Sequence, residues 1–251
     1  ADDDWTAALL DHLDERGDEI AVVATAPCHW TDGTVVDLVA VGERCRAIGA
    51  ALVVDTCQAL GAMPFDVDAV QPDVVVGACY KWLLGPYSVG FCWMAPHLRE
   101  GRPLEHNWIT RVGSDDFAGL VDYVDELRPG ARRYDMGEVA TFALLPAATA
   151  SRELLASGGS DAVAGHAASL TTAAVEGAVA LGFEVPPAEL RSPHLVGLRR
   201  TGLDRARLLA ELAADQVHVR VRGEAVRVAA HAHNTSDDVA RLLAALARTV
   251  D

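Results

Sequence analysis

The sequence predicts an α/β protein: a mainly parallel sheet covered by helices, followed by a smaller α+β unit. Short apolar runs, Ile20–Pro27, Ala51–Asp55, Asp73–Gly77 and Val89–Met94, are interspersed with helical or capped segments. The runs are apolar at nearly every position rather than at every second one, the pattern of strands buried on both faces. After Pro186-Pro187 the spacing changes to short strands and helices in mixed order, which marks a second, smaller unit. Residues 1–157 are read as part of a large domain, and 158–251 as a linking helix with a small C-terminal α+β domain.

Taken in order, Trp5–Leu13 carries apolar residues at helical spacing with acids between them, and Gly17 ends it. Ile20–Pro27 is the first strand. Val35–Ile48 is helical, with Gly49 as its C-cap. Ala51–Asp55 is a second strand ending in an acid, Asp73–Gly77 a third and Val89–Met94 a fourth. Ala95–Asp135 is irregular, rich in Gly, Pro and charge, and long enough to be a functional loop region. Two Ala-rich helices follow, Phe142–Ala156 and Asp161–Leu181, broken at Ser157-Gly-Gly-Ser160. His194–Arg199 is a strand and Leu203–Ala214 a helix. Val217–Val221 and Ala225–Ala230 are strands turning at Gly223. Thr235 with Asp238 suits a capping box for a last helix to Leu246.

A net charge of −15 over 251 residues argues against nucleic acid or an anionic membrane as partner. No apolar run approaches the ~20 residues of a membrane span. Ala1–Asp4 has no signal-peptide character, and the expectation is a soluble, cytoplasmic protein. The five cysteines, Cys28, Cys45, Cys57, Cys79 and Cys92, lack zinc-type spacing and read as reduced core residues, with no metal site.

Of the 21 lysines and arginines one is a lysine, Lys81. It follows Val74-Val75-Val76 and lies between Tyr80 and Trp82, not in a polar surface setting. Arginine serves for surface charge and carboxylate pairing but stays protonated, whereas a lysine amine, its pKa lowered, acts as a nucleophile. Lys81 is therefore read as a Schiff-base lysine rather than a surviving surface residue. Ligands of such sheets sit beyond the carboxyl ends of the strands, where both Asp55 and Lys81 fall.

Asp55-Thr-Cys-Gln58, Asp73, Tyr80-Lys81-Trp82, Gly85-Pro86 and Gly90 together resemble the class V aminotransferase group of pyridoxal-phosphate enzymes. That group includes cysteine desulfurases, kynureninase and isopenicillin N epimerase. The resemblance returns at Arg133–Glu138 and at Val226–Thr235. It implies a PLP-dependent transferase-like large domain whose N-terminal segment, with the phosphate loop and the ring-stacking aromatic, is absent ahead of Asp18. It also implies pyridoxal 5'-phosphate as cofactor, with Asp55 keeping the ring nitrogen protonated. Gln58 would bond the ring hydroxyl and Tyr80 the phosphate. Arg227 would bind the substrate's α-carboxylate, and Asn107, beside Trp108, would help choose the substrate. His29 is either a stacking or acid–base group or a buried structural histidine. Trp30 and Ala78 depart from the asparagine and serine of many relatives, and Glu138 stands where many carry a phosphate-binding threonine.

The implied partners are a small amino-acid substrate and a second copy of the chain. Because no cysteine follows Cys92, a persulfide-forming desulfurase is disfavoured. Transamination, epimerisation and β-elimination (including C–S lysis) stay open. Two other readings stand beside these: a catalytically inactive relative acting as a binding or scaffold protein, and an unrelated α/β binding domain with Lys81 exposed away from Asp55.

Overall fold

The computed structural model describes residues 4–139 and 141–250. Four strands, β1 (Val22–Thr25), β2 (Ala51–Asp55), β3 (Val74–Ala78) and β4 (Gly90–Met94), form one sheet in sequential order. β1 with β2 and β2 with β3 are parallel, while β4 is antiparallel to β3. Helices α1 (Trp5–Arg16) and α2 (Leu38–Ile48) pack together on this sheet. Their shared core holds Leu13, Leu38, Val41 and Cys45 against Leu52 and Val54. A one-turn helix, α3 (Val67–Val70), leads into β3.

Past the loop region, α4 (Leu145–Leu154) and α5 (Ser160–Ala180) are separated by a break at which Gly158 takes φ 98°. The C-terminal part is an antiparallel sheet of order β5-β7-β6, made of β5 (Leu195–Leu198), β6 (Arg220–Arg222) and β7 (Ala225–Ala229). It is covered by α5, α6 (Arg205–Ala214) and α7 (Ser236–Val250). All four residues of β5 are buried, and Val196, Leu198, Leu208, Leu212, Val226 and Leu246 form the centre of this second core. No helix among the described residues is long and apolar enough to cross a membrane.

Three local expectations shift. α2 begins at Leu38 rather than Val35, because the Asp37 side chain caps Val39 N and Ala40 N at 3.0 and 3.1 Å. Val35 N and Val36 N are already committed to Leu190 O and Pro27 O. β6 starts at Arg220 rather than Val217: Gln216 turns at φ 58° and Val217 N donates back to Leu212 O at 2.8 Å, so Val217 still closes α6. The cysteines are not all core residues. Cys28 and Cys45 are buried, Cys57 and Cys79 half-buried, and Cys92 is exposed on β4, one of the two edge strands of its sheet. Asp238 does cap α7, its Oδ2 accepting from Thr235 N at 2.9 Å.

The two sheets are stitched through the loop after β1. Gly33 sits at φ 79°, and a Cβ there would lie 2.0 Å from Leu195 O, so only glycine fits the close approach. Beside it Asp32, 2% exposed, accepts from Thr34 N at 3.1 Å and Thr34 Oγ1 at 2.9 Å, and takes the Arg199 guanidinium on Oδ2 at 2.6 Å.

Candidate active site

The turn between β3 and β4 carries Lys81. Its neck is closed by Cys79 N donating to Val89 O at 2.9 Å and Gly85 N to Cys79 O at 2.8 Å. Within it Leu84 and Ser88 hold φ of 58° and 66°, a left-handed conformation that persists only when surrounding contacts impose it. One such contact is Gly61 (φ 94°), where a Cβ would stand 2.5 Å from Trp82 O.

Trp82, 5% exposed, anchors the turn. Its indole N–H donates to Gln58 Oε1 at 3.2 Å, and its ring stacks on His231 at 4.7 Å and meets His194 edge-on at 4.5 Å. His231 Nδ1 accepts from Ala232 N at 2.7 Å, which leaves its other ring nitrogen to donate to the Lys81 carbonyl. His194 Nε2 donates to Gln58 O at 2.5 Å. The lysine turn, the residues after β2 and the small sheet thus meet on one indole. Sequence reading passed over His194 and His231; the His231-Ala-His233 pair just ahead of Asn234 was the one local sign of them.

Burial first and then the neighbouring His231, partly offset by the bond to Gln58, push the pKa of His194 down to about 4. The folded value lies below the unfolded one of about 6.5. The unfolded chain therefore binds more protons, and stability is full above about pH 6.5 and declines as pH falls toward 4, by at most about 1.4 kcal/mol per unit. Urea unfolding at pH 7 and pH 5 should show this loss in the wild type and a smaller one in His194→Gln. Equal losses in the two would assign the pH dependence elsewhere.

Four of the sequence-predicted residues, Gln58, Tyr80, Lys81 and Arg227, line one open cleft of about 590 Å3. Lys81 is half-buried, with Nζ 5.6 Å from the Tyr80 ring centroid. Tyr80 in turn stacks on Tyr87 at 4.2 Å. Among the described residues no carboxylate pairs with the lysine. Asp55 is exposed at the end of β2, its Oδ1 accepting from Cys57 N at 2.8 Å, and does not line the cleft. The Cys57 thiol lies within reach of both charges: burial first, then Asp55, raise its pKa, while Lys81 pulls the other way.

His29 stands outside the cleft. Its Nδ1 faces Thr31 Oγ1 at 2.8 Å and Asp32 Oδ1 at 3.1 Å, and its ring lies 4.6 Å from that of Trp5. Asn107 is remote as well, accepting from Thr110 N at 3.1 Å beside Trp108 in a separate cavity of about 830 Å3. Arg227 reaches the cleft from β7, with one guanidinium nitrogen donating to Trp30 O at 3.0 Å.

The family described as Aminotransferase class-V matches residues 1–250. An uncharacterized aminotransferase, YcbU of Bacillus subtilis (strain 168), is 27% identical over 252 residues, covering 95% of this chain and 65% of YcbU. The cystine C-S lyase C-DES, solved with cysteine persulfide, superposes with a TM-score of 0.83 at 20% identity, over 98% of this chain and 65% of its own. An apo cysteine desulfurase from Thermococcus onnurineus NA1 gives 0.79 at 18% identity, over 96% of this chain and 62% of its own. The chain spans less than two thirds of the length of each, and the two structures establish the likeness of fold. By the family match along its length, the chain belongs to the class V aminotransferases, pyridoxal-phosphate enzymes of fold type I.

Proposed function

We propose that this chain acts on the α-carbon of an amino acid, with Lys81 as the residue that holds the cofactor and moves the proton. The observation that carries this reading is the placement of the chain's one lysine in a cleft with Gln58, Tyr80 and Arg227. The residues present fit pyridoxal phosphate: an amine without a carboxylate partner, the Tyr80 hydroxyl and Gln58 amide lining the same cleft, and a carboxylate at the end of β2. When bound, the cofactor supplies an electron sink for charge developing at the α-carbon. Gln58 would bond the ring hydroxyl and Tyr80 the phosphate, and Asp55, at the end of β2 and near the Cys57 thiol as Lys81 is, would hold a proton at the ring nitrogen. Arg227 orients the substrate through its α-carboxylate with a planar two-pronged contact. Lys81 Nζ would take the α-proton as general base.

Transamination, epimerisation and β-elimination share that proton removal. A desulfurase that accepts sulfur on a small-domain thiol is disfavoured, since the last cysteine of the chain is Cys92 on β4. We further propose that the active form is a homodimer. Phe117, Val121, Tyr123 and Phe142, 76%, 78%, 97% and 88% exposed, offer apolar surface for a second subunit.

The shared step gives the test. The chain with pyridoxal phosphate in heavy water should wash out the α-hydrogen of at least one member of an amino-acid panel, read by proton NMR. The accompanying product, a keto acid, the mirror-image amino acid or ammonia, names the reaction. No exchange with any amino acid, in a folded chain that takes up the cofactor, would favour an inactive binding relative.

A further inference from the structure

Three arginines lie on one face of the β6–β7 ribbon. Arg220 sits directly opposite Arg227 in the antiparallel register, and Arg222 is two residues along from Arg220. Side chains at i and i+2 of a strand, and at directly opposed positions of a pair, share a face, with opposed Cβ atoms about 5 Å apart. The other face carries Val221 and Val226, which belong to the small core. Like charges directly opposite destabilise a sheet, and among the described residues no carboxylate forms an ion pair with any of the three.

Arg220 and Arg222 donate to the backbone carbonyls of Val219 and Val221, and Arg227 to that of Trp30. The nearby acids are taken: Glu224 by Arg205, Asp32 by Arg199, and Asp238 by Arg241 and Thr235. Burial first, then the charges of Arg222 and Arg220, push the pKa of Arg227 down. In a chain of net charge −15 this is an unneutralised positive face. Arg227, with Ala229 and His233, lines two adjoining clefts, the second of which also holds Asp238 in its ion pair with Arg241. One is the Lys81 cleft; the other, about 490 Å3, is lined by Arg220, His218 and His233.

We propose that the substrate carries a second acid group, its α-carboxylate meeting Arg227 and its second carboxylate meeting Arg220 in the adjoining cleft, with Arg222 reinforcing the charge. The substrate class is then an acidic amino acid. This deepens the functional reading above and rests on it, since the amine is placed at Lys81.

The test compares acid with amide, so that only charge changes. Binding of glutamate against glutamine, and of aspartate against asparagine, is followed by tryptophan fluorescence and calorimetry, with Trp30 beside Arg222 and Arg227 as internal probe. One acid should bind about tenfold or more tightly than its amide. Arg220→Gln with Arg222→Gln should abolish that preference by weakening the acid far more than the amide, and Arg220→Lys should keep most of it. Arg227→Gln should weaken acid and amide alike. Equal binding of acid and amide, or a preference that survives the double substitution in a chain of unchanged circular dichroism, overturns the proposal. A preference in a chain whose Lys81 takes no cofactor would keep the anion site and overturn the catalytic reading. Cofactor uptake without a preference would do the reverse.

Discussion

Lys81→Ala is expected to lower α-hydrogen exchange by at least about a thousandfold. Two contributions are lost together: the covalent hold on the cofactor, and the base at the α-carbon, which alone is worth about 10²–10⁴. Lys81→Arg should be as inactive, because a guanidinium stays protonated and serves neither role. Added methylamine should restore part of the rate to Lys81→Ala and none to Lys81→Arg, since only the alanine variant leaves room for a free amine. The fold should be unaffected, because the turn is fixed by backbone bonds and by Trp82, none of which uses the lysine side chain. A rate within tenfold of wild type in Lys81→Ala would remove the lysine from the chemistry.

Asp32→Ala should be the most damaging substitution away from the cleft, costing about 3–5 kcal/mol in a urea titration at pH 7. Asp32 is buried and holds Arg199, the Thr34 backbone and hydroxyl, and His29. Removing Asp32 takes the acceptor from the buried Thr34 N–H and hydroxyl, at about 1–3 kcal/mol for each group left unsatisfied. Burial alone would raise the pKa of Asp32, but the bonds from Thr34 and His29 outweigh it and hold the carboxyl below its usual value. The unfolded carboxyl titrates near 3.9, so the stability Asp32 contributes is present above that pH and lost as pH falls through the lower folded value. The gap between wild type and Asp32→Ala should therefore narrow below about pH 4. A cost under about 1 kcal/mol at pH 7 would show that the junction of the two sheets does not depend on this acid.

The strands were legible because buried parallel strands are apolar throughout, and Ala51–Asp55 matches its predicted bounds. Lys81 stood out by composition, and Gln58, Tyr80 and Arg227 by their place around strand ends and by resemblance; all four line one cleft. Other features hang on long-range packing that no local pattern encodes. His194 is defined by Gln58, 136 residues away, and Asp32 by Arg199, 167 residues away. The opposition of Arg220 and Arg227 is a matter of register, which the bounds of the two strand runs do not fix; the strand itself starts later than Val217, which the end of α6 claims.

The most direct measurement is to add pyridoxal phosphate to the chain, reduce with borohydride, digest and locate the added pyridoxyl mass. One modified residue is expected, Lys81, at close to one group per chain, preceded by an absorbance band near ~420 nm that Lys81→Ala lacks. Modification confined to the chain terminus, or no band in a folded chain, would contradict it.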